Sequence, residues 1–291
     1  MESKINRYSK QLILINSFFI LAWLIISVFP FIWTFWGSFK VKADFFSRAD
    51  WMFAVTGVNT LIETGDTSTV KAYVESWTEG EFWKATMNTV IITVSVVTIS
   101  LFLGTLGAYA LSTYKYTFWI LIAALIFRAM PHITLVSGYL FPFFQLNVWG
   151  ILPTTIIVLV AINQPFTLWL LYSFFKTVPK ELDESALIDG CSYFQAFRFV
   201  IMPVMWPGVV TAGLFSMMLA YNDFTVTSLL LNQQNYTMVP KINAYLGTIE
   251  HSGNYMWAVS SVVSATAPLF MIIMFFQRQL ISGLTAGAVK G

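Results

Sequence analysis

Four carboxylates lie within residues 181–189: Glu181, Asp183, Glu184 and Asp189, with the small residues Ser185 and Ala186 between them. Such side chains make no bonds on their own. They offer negative charge and hydrogen-bond acceptors to a basic surface, and the small residues let a partner come close. Gly190 follows directly, and Pro203 closes the segment. A sparser polar set sits inside apolar runs: Arg128, Asn163, Gln164, Asn222 and Asp223. These groups can exchange hydrogen bonds with a hydroxylated solute or hold helices together, and residue type alone leaves both open. No other set forms a reaction centre. His132 and His251 stand apart, Cys191 is the sole cysteine, and neither a metal set nor a catalytic cluster of His, Ser or paired acids is present. No G-x-x-x-x-G-K-[ST] run occurs, so the chain does not cradle a nucleotide by that route. The tail Gly287-Ala-Val-Lys290 lacks both the first glycine spacing and the Ser/Thr.

The elements that carry these residues are set by composition. Charged residues make up 10% of the chain, against about 25% in ordinary soluble domains. Six apolar runs exceed the roughly 18 residues of a membrane span: Leu12–Trp36, Lys84–Leu111, Thr117–Leu140, Gly150–Phe174, Gly208–Leu231 and Trp257–Gln277. A span in lipid must satisfy its own backbone hydrogen bonds, and these runs are continuous rather than alternating. The expected fold is therefore an all-α polytopic membrane protein of six transmembrane helices, not a barrel.

The first run is too long for a cleaved signal's apolar region, and no small-x-small site follows it. Lys4, Arg7 and Lys10 precede it, which favours a cytoplasmic N-terminus, and six spans then return the C-terminus to the same side. On that topology the cytoplasmic side carries nine Lys/Arg: Lys4, Arg7, Lys10, Lys115, Lys176, Lys180, Arg198, Arg278 and Lys290. The expected organisation is a cytoplasmic segment 1–11, a first span 12–36, an outer loop 37–83, a core 84–280 containing an inner segment 175–207, and a cytoplasmic tail 281–291. The outer loop carries seven carboxylates and reads as a lid or a receptor contact. A net charge of +2 gives no reason to invoke nucleic acid.

The inner segment reads as helix, glycine turn, helix at the membrane surface. Pro179 suits a first helical turn, and Glu181, Asp183 and Glu184 complement the positive end of the helix dipole. Gly190 is placed to end that helix, and Ser192 with Gln195 forms a capping box for the next. Phe194, Phe197, Val200 and Ile201 share one face of the second helix, which Pro203 is expected to stop. Leu182, Ser185, Ala186 and Asp189 share one side of the first, where a partner could approach.

The spacing Glu184-Ser185-Ala186, three residues, Gly190, nine residues, Val200-x-Met202-Pro203 resembles the EAA loop of binding-protein-dependent ABC importer permeases. The consensus there is E-A-A-x3-G-x9-I-x-L-P. Ser185, Val200 and Met202 depart from it conservatively. The run from Val178 to Gly190, the Tyr221-Asn222-Asp223-Phe224 stretch and the tail Gly283–Gly291 are similar to the carbohydrate branch of that family, six-span permeases of the maltose-importer type. The resemblance implies the type I permease fold, with a coupling helix pair seated in a groove of a cytoplasmic ATPase dimer. It implies that Glu184 meets basic residues of the ATPase, that Gly190 sets the bend, and that Asp183, Ser185, Ala186, Asp189 and Pro203 belong to the same surface. It implies a second permease subunit, forming a heterodimer, and a periplasmic or lipid-anchored solute-binding protein. The setting is the bacterial inner membrane, and ATP hydrolysis belongs to the partner. No cofactor is expected.

The intramembrane groups have consequences of their own. Arg128 lies about ten residues, roughly 15 Å, into the third span; Asn163 and Gln164 fall near the middle of the fourth. A charge facing lipid costs about 2.5–3.5 kcal/mol on the lenient insertion scale, so these groups should face the bundle or water. Pro131 and Pro165 are expected to release the carbonyls of Phe127 and Ala161 at nearby levels. Arg128 and Asp223 either pair or face a solute path, and a carbohydrate is the expected solute. A permease for another solute and a secondary transporter are the alternatives; the latter needs intramembrane coupling carboxylates and internal repeats, and Asp223 alone qualifies.

Overall fold

The computed structural model describes residues 2–40, 68–113, 118–247 and 254–288. Their regular elements are helices. Five are long and apolar enough to cross a membrane. These spans lie in α1 (Glu2–Gly37), α3 (Phe82–Thr113), α6 (Leu152–Phe175), the continuous run Tyr193–Tyr221, and α12 (Asn254–Ala288). A sixth exists only if α4 (Phe118–Ala129) and α5 (His132–Gln145) count as one span.

That pair corrects the expectation of a single third span, Thr117–Leu140. The two helices meet at 89°, with Pro131 as the residue before α5 (φ −57°, ψ 129°). Proline has no N–H to continue the ladder and excludes the α conformation from the residue before it, so the helix stops and restarts. Nor is the Phe127 carbonyl released: the Met130 N–H takes it at 3.2 Å.

Two compact units divide the chain, one of Met1–Gly80 with Tyr245–Thr266, the other of Glu81–Ala244 with Ala267–Gly291. In the first, α1 begins at Glu2, so the segment 1–11 ahead of the first span is helical from Glu2 on. No residue of its apolar window is buried, as lipid exposure would require. The helix α2 (Ser68–Trp77) lies in what was read as an open outer loop. The Glu75 carboxylate accepts the indole N–H of Trp257 at 3.0 Å, and Ser260 donates to the Ala72 carbonyl at 3.1 Å. The acids Asp44, Asp50, Glu63 and Asp66 lie outside the described residues.

In the second unit α3 packs along α6 and along α9 (Met202–Tyr221). The inner face of α3 is small and polar, with Thr93, Ser100, Gly104 and Thr105 buried. At Gly104 the helices pack closely. A Cβ there would sit 3.0 Å from Leu171 Cδ1, 3.1 Å from Thr167 Cγ2 and 3.3 Å from Gln164 Nε2. Small residues serve membrane helices in this way, because lipid supplies no hydrophobic drive and packing must supply it. One apolar cluster gathers Ile92, Val96, Val136, Leu159 and Leu230; a second gathers Ala108, Leu171, Phe175, Phe197, Ile201 and Met205. Between the fifth span and α12 lies the helix α11 (Met238–Gly247). Its first N–H is taken by Thr89 Oγ1 at 2.9 Å.

Candidate functional site

The acidic segment forms α7 (Lys180–Ile188), ended by a glycine turn and followed by α8 (Tyr193–Gln195). Pro179 stands one position earlier than expected, immediately before the helix. Gly190 takes φ +88°. Its N–H bonds the Leu187 carbonyl at 3.1 Å, and the Cys191 N–H bonds that of Ala186 at 3.0 Å. This is the Schellman arrangement, in which a left-handed residue lets the chain turn back and satisfy the last carbonyls. The capping box then starts α8: Ser192 N–H donates to Gln195 Oε1 at 2.8 Å, and Gln195 N–H to Ser192 Oγ at 3.4 Å. The turn is therefore hydrogen-bonded on both sides of Gly190.

Pro203 does not stop the second helix. A π-helical segment, Ala196–Ile201, leads from α8 straight into α9, with Pro203 in the first turn of α9. A proline inside a continuous helix lacks a ladder N–H and crowds the carbonyl four residues back, and the wider π turn just before Pro203 accommodates it. The helix that follows the glycine turn and the fifth span are one unbroken helix from Tyr193 to Tyr221.

The faces of α7 are now assigned. Glu181, Leu182, Glu184, Ser185, Ile188 and Asp189 are exposed. Ala186, expected on the partner-facing side, is 5% exposed and packs inward. Ser185 turns its hydroxyl onto the Glu181 carbonyl at 2.6 Å. Asp183 is half-buried, and both its carboxylate oxygens lie 2.9 Å from the Tyr109 hydroxyl. Sequence reasoning missed three features here: Ile188, 85% exposed at the end of α7; the π segment; and Tyr109. A tyrosine near a span end reads as part of an interfacial belt, so nothing in the sequence pointed Tyr109 at an acid 74 residues away.

The intramembrane polar set is not one cluster. Arg128 and His132 pair across the α4–α5 bend. Asp223 does not meet Arg128. It lies beyond the end of α9, where its carboxylate accepts the Thr227 N–H at 2.9 Å and caps the short helix α10 (Thr225–Leu230). Asn222 is exposed and donates to the Met218 carbonyl at 3.0 Å. Asn163 and Gln164 behave differently. Asn163 is 3% exposed. Gln164 Nε2 reaches the Ser100 carbonyl at 3.4 Å. Among the described residues, Asn163 Nδ2, Gln164 Oε1, Ser100 Oγ and Thr93 Oγ1 find no hydrogen-bond partner. Buried polar atoms are nearly always paired, so these four on α3 and α6 stand out. Among the described residues no group of His, Cys, Asp and Glu could hold a metal.

A family described as the inner membrane component of binding-protein-dependent transport systems matches residues 100–285. The chain belongs to that family. The permease is 31% identical over 289 residues to the trehalose/maltose transport system permease protein MalG of Thermococcus litoralis, covering 97% of this chain and 98% of that one. It is 26% identical over 288 residues to the diacetylchitobiose uptake system permease protein NgcG of Streptomyces coelicolor, covering 93% and 87%. In fold it matches the crystal structure of a bacterial ABC transporter that imports the acidic polysaccharide alginate. That match has a TM-score of 0.72 at 19% identity and covers 91% of this chain and 95% of that one. The permease thus has the fold of an ABC-importer membrane subunit.

Proposed function

We propose that this permease forms half of the pathway by which an ATP-driven importer of the cytoplasmic membrane takes up a carbohydrate. The observation that carries the coupling reading is the α7–turn–α8 unit. It is an exposed acidic helix, fixed by hydrogen bonds on both sides of Gly190, and it runs without a break into a transmembrane helix. A load applied to its exposed face passes into α9 rather than into a slack loop. Glu184, Ser185, Asp189 and the apolar Leu182 and Ile188 form the surface for a separate ATPase, Asp183 and Ala186 hold α7 to the bundle, and Gly190 fixes the bend. Pro203 sets the first turn of α9 rather than touching the partner.

Asn163 and Gln164 are assigned to the solute path, because their unpartnered atoms become available once α3 and α6 separate. Arg128 joins them from the α4–α5 bend. Asn222 and Asp223, which cap helix ends, serve the framework. A carbohydrate is the solute because MalG and NgcG carry sugar names and the match runs nearly end to end. A second permease completes the pathway, a solute-binding protein delivers to its outer face, and both termini of this chain face the cytoplasm.

Copurification of the tagged permease from its native membrane, followed by mass spectrometry and an ATPase assay, tests this reading. Recovery of a second polytopic subunit and a P-loop ATPase is expected, with the binding protein then screened against trehalose, maltose and diacetylchitobiose. A lone polypeptide driven by an ion gradient would overturn the proposal. A binding protein that takes only amino acids or metal ions would remove the carbohydrate.

A further inference from the structure

The inner segment is joined through the backbone to α6 on one side and to α9 on the other. It is not joined to α3, yet α3 packs along both. Displacement of α7 therefore reaches α3 only through side chains. Tyr109, near the inner end of α3, is where they meet. Its ring is gripped by Phe175 at the end of α6 (centroids 5.8 Å) and by Phe197 in the π segment (5.0 Å). Its hydroxyl donates to the Asp183 carboxylate on α7, one residue before Glu184. One side chain thus touches α6, α7 and the π segment. The joint is not packed solid. A cavity of about 710 Å³ opens beside it, lined by Tyr109, Ser112, Lys180, Asp183, Leu187 and Tyr193. The hydrogen bond thus ties α7 to α3 beside an open space rather than within solid packing. Mid-helix π segments recur at functional sites, and here the segment carries Phe197 onto the Tyr109 ring.

We propose that Tyr109 is a positioning residue that ties the docking helix to α3 through Asp183, so that movement of α7 displaces α3 together with α9. The inference rests on the coupling reading above. Its consequence is specific: removing the phenolic hydroxyl leaves α7 able to dock and able to drive α9, but frees α3 from that motion. Tyr109→Phe keeps the ring between Phe175 and Phe197 and deletes only the bond. Asp183→Leu deletes it from the other side, and Asp183→Asn restores an acceptor.

The test is amide hydrogen exchange on the assembled importer, with Mg–ATP and vanadate as the probe, compared with the permease pair alone. In the wild type, trapping is expected to change protection both in residues 180–188 and in the last turns of α3. In Tyr109→Phe and Asp183→Leu the α7 change is expected to persist while the α3 change falls about tenfold, the scale of a lost charge-assisted hydrogen bond. The double variant should do no more than either single one, and Asp183→Asn should recover most of the α3 response. An undiminished α3 response in both single variants, or effects that add in the double, would overturn the joint. If residues 180–188 of the wild type show no change on ATPase binding or trapping, the coupling reading itself fails, and the two failures are told apart within one data set. Asp183→Leu also keeps the idea testable should Tyr109→Phe fail to accumulate.

Discussion

Replacing Gly190 by valine separates the turn's conformation from its contacts. A Cβ built at Gly190 meets nothing within 4 Å, so the substitution creates no clash. The whole effect comes from φ +88°. Holding an L-residue in the left-handed region costs about 1–2 kcal/mol, more for a β-branched one. Relaxing it sacrifices the Leu187 and Ala186 carbonyl bonds of the turn, about 0.5–1.5 kcal/mol each. The two are comparable, so the turn should divide between its native pose and a relaxed one. With the two poses close in free energy, the native share should fall to about half. This is small against the stability of a folded chain, so Gly190→Val should reach the membrane at wild-type abundance. Sugar imported per ATP hydrolysed in proteoliposomes should fall about twofold, in step with that share, measured with the sugar that the binding protein retains. Asn enters the left-handed region far more readily, so Gly190→Asn should keep most of the coupling. If valine couples as well as glycine, or asparagine is as damaging as valine, the conformational argument is wrong.

Three further outcomes follow from named contacts. Asn163→Leu removes an amide whose Nδ2 is buried without a partner; the thermal midpoint should hold or rise while transport drops, whereas a fall in midpoint would show that Asn163 works as helix glue. Gly104→Val drives a side chain into Leu171 and Thr167 and should lower the midpoint by the equivalent of about 1–3 kcal/mol, with Gly104→Ala milder. Ala186→Leu overfills the buried side of α7 and should weaken ATPase copurification, while Ser185→Ala, on the exposed side, should leave it within about 0.5 kcal/mol of wild type.

The class of fold was legible because lipid imposes one rule on every span, and long apolar runs report it directly. The turn was legible for a different reason: Gly190, Ser192 and Gln195 act within a few residues, so their order carries the geometry. What escaped reading was nonlocal or context-dependent. Pro131 and Pro203 look alike as letters. One stands at an 89° break and the other sits within a continuous run, and only the second is preceded by a π segment that can absorb a proline. Ala186 was placed with Leu182, Ser185 and Asp189 on the side a partner could approach, but its side chain packs inward. Asp223 looked like a buried charge seeking Arg128, yet four residues further on the Thr227 N–H supplies its partner. The acidic helix and its glycine turn were thus legible as a segment, with their inward and outward residues sorted only by the fold.

The unbroken run from Tyr193 to Tyr221 has a mechanical consequence. Its 29 residues span roughly 44 Å at about 1.5 Å per residue, so a tilt of about 5° at the docking end sweeps the far end through roughly 4 Å. That far end abuts Asn222 and Asp223, whose carboxylate anchors α10. A tilt of a few degrees imposed beside Gly190 would thereby appear as a stroke of atomic dimensions at the opposite end of the rod, with α10 as the first part to be dragged.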